Sequence, residues 1–76
     1  MKIGDLDIGS EAKITGYEKG SREYRHKLLR MGLVKGSRLK LLRKAPMGDP
    51  VEIELNGQKV TLRKSEADVL IINTVD

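Results

Sequence analysis

The chain has 76 residues, 15 of them Lys or Arg and 11 Asp or Glu, and carries a net charge of +4; this length fits one domain, residues 1–76, able to bury only about 60–65% of its unfolded surface. It has no cysteine, which excludes a disulfide scaffold, a thiolate metal site and a cysteine nucleophile. It has no Phe or Trp and two tyrosines, so the core is aliphatic, and binding modes built on rows of exposed rings are poorly served.

The first predicted strand runs from about Glu11 to Lys19. Ala12 and Ile14 point one way, with Lys13, Thr15 and Tyr17 opposite. Gly16 interrupts it and suggests a bulge or bend. Leu6 and Ile8, just upstream, are expected to pack under the sheet. The period then changes. "GSREYRHKLLRMGL" reads as a helix with Ser21 as N-cap, and Glu23 sits in the first turn, where the helix dipole favours an anion. Tyr24, Leu28 and Met31 recur at helical spacing and predict the buried stripe. Gly32 and Leu33 fit a Schellman ending, with glycine left-handed and leucine packing back.

Gly36-Ser37 turns the chain into a second strand, Arg38 to Lys44. Leu39 and Leu41 face inward, Arg38 and Lys40 outward, and Leu42 breaks the alternation, as a bulge would. After "APMGDP", Val51, Ile53 and Leu55 alternate with Glu52 and Glu54. Asn56-Gly57 is the favoured type I′ hairpin turn. A two-residue loop sets Leu55 opposite Gln58, Glu54 opposite Lys59, Ile53 opposite Val60 and Val51 opposite Leu62. Glu52 and Glu54 are expected beside Arg38 and Lys40. Ser65 then caps a single turn, with Asp68 three residues on as its partner. The last strand, Val69 to Val75, is apolar on both faces at its centre and predicts cover on both sides. The sum is a mainly β fold: a small five-stranded barrel with one α-helix after the first strand and a short helical turn before the last.

Charge is uneven along this frame. Arg22 to Lys44 holds nine basic residues against Glu23 alone, so that segment is +8 and the remainder −4. Such asymmetry suggests one basic face, although solvated helices and strands carry charge routinely. No stretch approaches the ~20 apolar residues of a membrane span. The acidic, glycine-interrupted N-terminus is unlike a secretory signal, so a cytoplasmic location is expected.

The residues also carry a resemblance. Leu28-Leu29, Met31-Gly32-Leu33, Gly36-Ser37, the Ala45–Pro50 loop "APMGDP", the hairpin, Arg63-Lys64 and Glu66-Ala67 together resemble the ferrous iron transport protein A (FeoA) family. The N-terminal "LDIGSEAKITGYEKG" fits the family's opening strand. Lys35 departs from it, standing where the family often has proline before glycine. The resemblance implies an SH3-like barrel. It also implies a cytoplasmic accessory of bacterial ferrous iron uptake, whose partner is a membrane transporter with a cytosolic GTP-binding domain (FeoB type).

An enzyme is not expected. His26 is the only histidine, no Ser-His-Asp set can be assembled, and no "GxxxxGK[ST]" phosphate loop is present. No cofactor and no metal site are expected: Arg22 and Arg30 flank His26 one helical turn away on each side, which repels a cation. Binding remains. On a helical wheel Arg22, His26 and Arg30 lie opposite the apolar stripe, and Arg25 and Leu29 share a flank. Leu29 either completes the edge of the core or joins its basic neighbours in a partner patch. The loop offers a second surface, Met47 and Asp49 on a tip stiffened by Pro46 and Pro50 and turned at Gly48, unless it is only a tight connector. Arg22, Arg25, His26, Leu29, Arg30, Met47 and Asp49 are thus the candidate partner-binding residues. The protein is expected to be a monomer or weak oligomer that does not insert in the membrane. The alternative is a small basic barrel that binds nucleic acid, motivated by the +8 segment. Against it stand the missing interleaved aromatics and the acidic neighbours on the adjacent strand, so nucleic acid is not the expected partner.

Overall fold

Alternation of apolar and charged residues on either side of Asn56-Gly57 closes the hairpin at one edge of the sheet. In the computed structural model, which describes residues 1–75, β3 (Val51–Leu55) and β4 (Gln58–Leu62) pair in the expected register, Val51 to Leu62, Ile53 to Val60, Glu54 to Lys59 and Leu55 to Gln58. Both turn residues have positive φ, 53° at Asn56 and 80° at Gly57, as a type I′ turn requires. The remaining strands are β1 (Glu11–Tyr17), β2 (Arg38–Lys44) and β5 (Leu70–Thr74). All pairings are antiparallel and give one sheet in the order β4-β3-β2-β1-β5. A helix α1 (Arg22–Arg30) joins β1 to β2, and a four-residue helix α2 (Lys64–Ala67) joins β4 to β5. The interior is aliphatic throughout: Ile14, Leu28, Leu33, Leu41, Ile53, Leu62, Leu70 and Ile72 are each 0–1% exposed.

Both predicted irregularities are bulges. The β1–β5 register shifts between Ile14 and Gly16, and the β2–β3 register shifts between Leu41 and Arg43. The first overturns one expectation. The extra residue changes the phase of β1, so Tyr17 packs against the core rather than lying opposite it with Lys13 and Thr15. Its hydroxyl donates to the Leu33 carbonyl at 2.6 Å. Burial pushes the Tyr17 phenol up, despite the neighbouring Arg25 charge, which keeps this donor protonated. β1 itself stops at Tyr17 rather than Lys19.

Other expectations also fail for identifiable reasons. Ile8 is 62% exposed, and only Leu6 of the upstream pair is buried. Ser21 does occupy the N-cap position of α1, but its hydroxyl donates backwards to the Glu18 carbonyl at 2.5 Å and caps nothing. The second helix starts before Ser65: Arg63 is its N-cap residue, and the Glu66 carboxylate, rather than Asp68, accepts the Arg63 N–H at 2.9 Å. In β5 only one face is fully covered, since Ile71 between Leu70 and Ile72 is half-buried. Glu54 does face Lys40, but antiparallel pairing carries Glu52 away from Arg38, and the bulge sets it opposite Arg43.

The C-terminal end of α1 forms as expected. Gly32 has φ +87°; the Leu33 N–H reaches the Leu28 carbonyl at 2.9 Å and the Gly32 N–H reaches Leu29 at 3.1 Å, the paired bonds of a Schellman motif. A Cβ at Gly32 would meet Leu55 Cδ2 at an ordinary 3.6 Å, so the penalty there is conformational. Gly32→Ala is expected to cost about 1–2 kcal/mol of stability, measurable by urea unfolding.

Candidate partner-binding surface

Nine residues of α1 yield one buried side chain, Leu28. The other members of the predicted apolar stripe diverge from expectation. Met31 is half-buried against the core, whereas Tyr24 is 42% exposed. Leu29 and Val34 are also 42% exposed. Leu29 therefore does not close the core edge. Arg22, Arg25, His26 and Arg30 are all exposed on the same helix. The Arg25 guanidinium lies over the Tyr17 ring, 5.8 Å from its centre, a cation–π contact that fixes its stem beside the Schellman end. On this flank the result is an exposed leucine among basic residues, while exposed Tyr24 lies on a different side of the helix.

The helix has a second anchor that sequence reasoning missed. Lys27 forms an ion pair with Glu66 of α2. Glu66 is the buried charged residue of the core region, 4% exposed. The hydrogen bond from Lys27, with the Arg63 N–H, holds its carboxyl below the usual range even though burial pushes the other way. One carboxylate thus serves two ends, capping α2 and tying down α1.

The Ala45–Pro50 loop is a braced turn. Gly48, φ +78°, donates its N–H to the Ala45 carbonyl at 2.7 Å, and Ala45 donates to Pro50 at 3.1 Å. The Asp49–Pro50 peptide bond is cis. Met47 stands at the tip, 88% exposed. Asp49, its predicted companion, has a different environment. Its carboxylate accepts the Lys64 N–H at 3.0 Å and lies 3.5 Å from the Arg63 guanidinium. It fastens the loop to the start of α2. A cleft of about 440 Å³ lies between loop and α2, lined by Lys44, Pro46, Gly48, Lys64 and Ala67 among others. Loop and helix are thus two candidate surfaces, each attached to α2. Among the described residues, no group of three or more His, Asp or Glu side chains is placed to share a metal ion.

A family model, the FeoA domain, matches residues 1–73. The chain belongs to the FeoA family. An NMR structure of a FeoA-like protein from Clostridium acetobutylicum superposes with a TM-score of 0.88 at 35% identity, covering 99% of this chain and 86% of that one. A zinc-complexed FeoA crystal structure from Stenotrophomonas maltophilia, described as a procaryotic SH3 domain protein, superposes with a TM-score of 0.80 over 96% of this chain and 89% of that one; at 22% identity it shows the shared SH3-like fold alone. Among curated proteins, a fused Fe(2+) transport protein A/Fe(2+) transporter FeoB from Porphyromonas gingivalis is 33% identical over 67 residues, 88% of this chain. This chain spans 8% of that relative's length. FeoA is a transport-associated accessory family, and this member has its SH3-like, five-stranded architecture. No helix among the described residues is long and apolar enough to cross a membrane.

Proposed function

We propose that this FeoA-family chain is a cytoplasmic accessory of ferrous iron uptake: it binds the cytosolic part of a FeoB-type membrane transporter, modulates it, and catalyses no reaction of its own. The observation that carries the reading is the fused relative, in which a FeoA sequence and a FeoB transporter share one polypeptide. Two domains joined in one chain in one organism are natural partners when they occur as separate chains.

The contact surface is the outer flank of α1, with Leu29 at its centre and Arg22, Arg25, His26 and Arg30 around it, together with the loop tip at Met47. A helix that buries one leucine and leaves another 42% exposed among arginines has the composition of a transient interface. Asp49 acts there by holding the loop. Nucleic acid is a poorer fit, because carboxylates interleave with the cations along the sheet.

The test is binding of the purified chain to the transporter's isolated cytosolic domain by calorimetry. Leu29→Glu is expected to weaken binding at least tenfold, and Met47→Glu by a smaller factor, with the thermal midpoint of both variants near that of the parent because both side chains are exposed. Unchanged affinity in both variants would exclude this surface. Absence of binding by the parent chain would exclude the partner.

A further inference from the structure

Charge matching across the sheet is consistent except at one place. Glu11, Lys40, Glu54 and Lys59 lie directly across from one another in turn on β1, β2, β3 and β4, and Arg43 faces Glu52. Each of these neighbours is of opposite sign, the arrangement that stabilises cross-strand pairs. The exception is Lys13, which faces Arg38 on one side and the uncharged Asn73 on the other. Two cations directly opposite each other are destabilising. Among the described residues neither has an ion-pair partner, and neither does Lys35 nearby.

Those three cations line a groove of about 760 Å³ whose other surfaces include Thr15, Thr74 and half-buried Val75. Among the described residues, no carboxylate lines it. The groove lies over β1, between β2 and β5, and its lining includes neither the α1 residues nor the Ala45–Pro50 loop. From these observations we propose that it is an anion-recognition groove for an extended acidic protein segment, with Lys13, Lys35 and Arg38 taking the carboxylates and the floor taking an apolar side chain.

The choice of occupant follows from shape and amide geometry. A compact phosphate is held best by several free backbone N–H groups converging on it. Here the Gly36 N–H is spent on the Ile14 carbonyl at 2.8 Å and the Ile14 N–H on the Ser37 carbonyl at 2.9 Å. A single-stranded nucleic acid needs stacking rings, and no aromatic side chain lines the groove. Three cations spread along an open, partly apolar trough match carboxylates spaced along an extended peptide. The cost of the unmatched pair is recovered when the segment binds. This inference goes beyond the transporter reading and stands without it.

The test is an NMR titration of the full chain with four probes: a short synthetic peptide alternating Glu with Leu, its counterpart with Lys for Glu, pyrophosphate, and a single-stranded oligonucleotide. The Glu peptide is expected to give saturable shifts at amides within 13–15, 35–38 and 73–75, weakened about tenfold by Lys13→Glu and weakened further by added salt. The same substitution turns a like pair into an opposite pair, so the thermal midpoint of Lys13→Glu is expected to rise by about 1–4 °C. A variant that is more stable and binds less well cannot owe its loss to unfolding. Leu29→Glu is expected to leave this titration unchanged, which separates the groove from the helix surface. The proposal is overturned if the Glu peptide produces no saturable shift, if Lys13→Glu leaves its affinity unchanged or lowers the midpoint, or if pyrophosphate or the oligonucleotide binds the groove more tightly.

Discussion

Leu28→Ala is expected to destabilise the protein by about 3 kcal/mol and to remove partner binding with it. Leu28 is fully buried and is the one α1 side chain in the core. Deleting its branched end loses the transfer free energy and leaves a cavity bounded by a barrel that cannot collapse into it. Total stability for a domain of this length is roughly 4–11 kcal/mol, so about a quarter or more is at stake. The loss also concentrates on α1, whose other core support is the half-buried Met31. Denaturant unfolding checks the magnitude, and hydrogen exchange checks the location: the amides of α1 are expected to lose protection beyond the global change. A cost below about 1 kcal/mol would mean that the Schellman end and the Lys27–Glu66 pair hold the helix without Leu28.

The second large effect is at Glu66. Replacing it with alanine removes the acceptor of the Arg63 N–H and the partner of Lys27 together, at a cost of about 1–3 kcal/mol. Glu66→Gln keeps an acceptor for the amide and loses only the charge, so it is expected to fall between the parent and the alanine variant. The pH dependence has a definite sign. The folded carboxyl titrates below its ordinary value of 4.5, so the unfolded chain binds the proton first as pH falls. The contribution is fully present at neutral pH. It begins to fade near 4.5 and is gone once the folded carboxyl is protonated too. Thermal midpoints of the parent and Glu66→Gln, measured from neutral pH downward, are therefore expected to converge below that value. Curves that remain parallel would show that the charge on Glu66 adds no stability.

How much could be read beforehand divides along local and non-local lines. The hairpin register, both bulges and the Schellman end were legible because each is written in a few adjacent residues: a period of two around Asn56-Gly57, the glycine at 16, the extra leucine at 42, and Gly32-Leu33. The family resemblance pointed to the SH3-like fold. What was not legible depends on pairing across the chain. Tyr17 changes sides because of a bulge whose register partner is β5. Tyr24 lies in the exposed part of its stripe because the depth to which a helix settles is set by the surface beneath it, which periodicity does not describe. Glu66 looks like one charge among many after Arg63-Lys64, and its ion pair depends on Lys27 arriving from α1, 39 residues earlier. Asp49 was read as a loop-tip residue and is a fastening. Lys13 and Arg38, 25 residues apart in sequence, become neighbours only through the β1–β2 register.

The four residues of α2 have a consequence for how the domain responds to being held. The loop reaches α2 through Asp49, at the Lys64 amide and the Arg63 guanidinium, and α1 reaches it through Glu66 and Lys27. Met47 and Leu29 are 18 positions apart in the chain, yet both surfaces terminate on the same single turn of helix. Under the proposed function, the tip and the helix flank would thus be held in fixed relation to each other by one short helix.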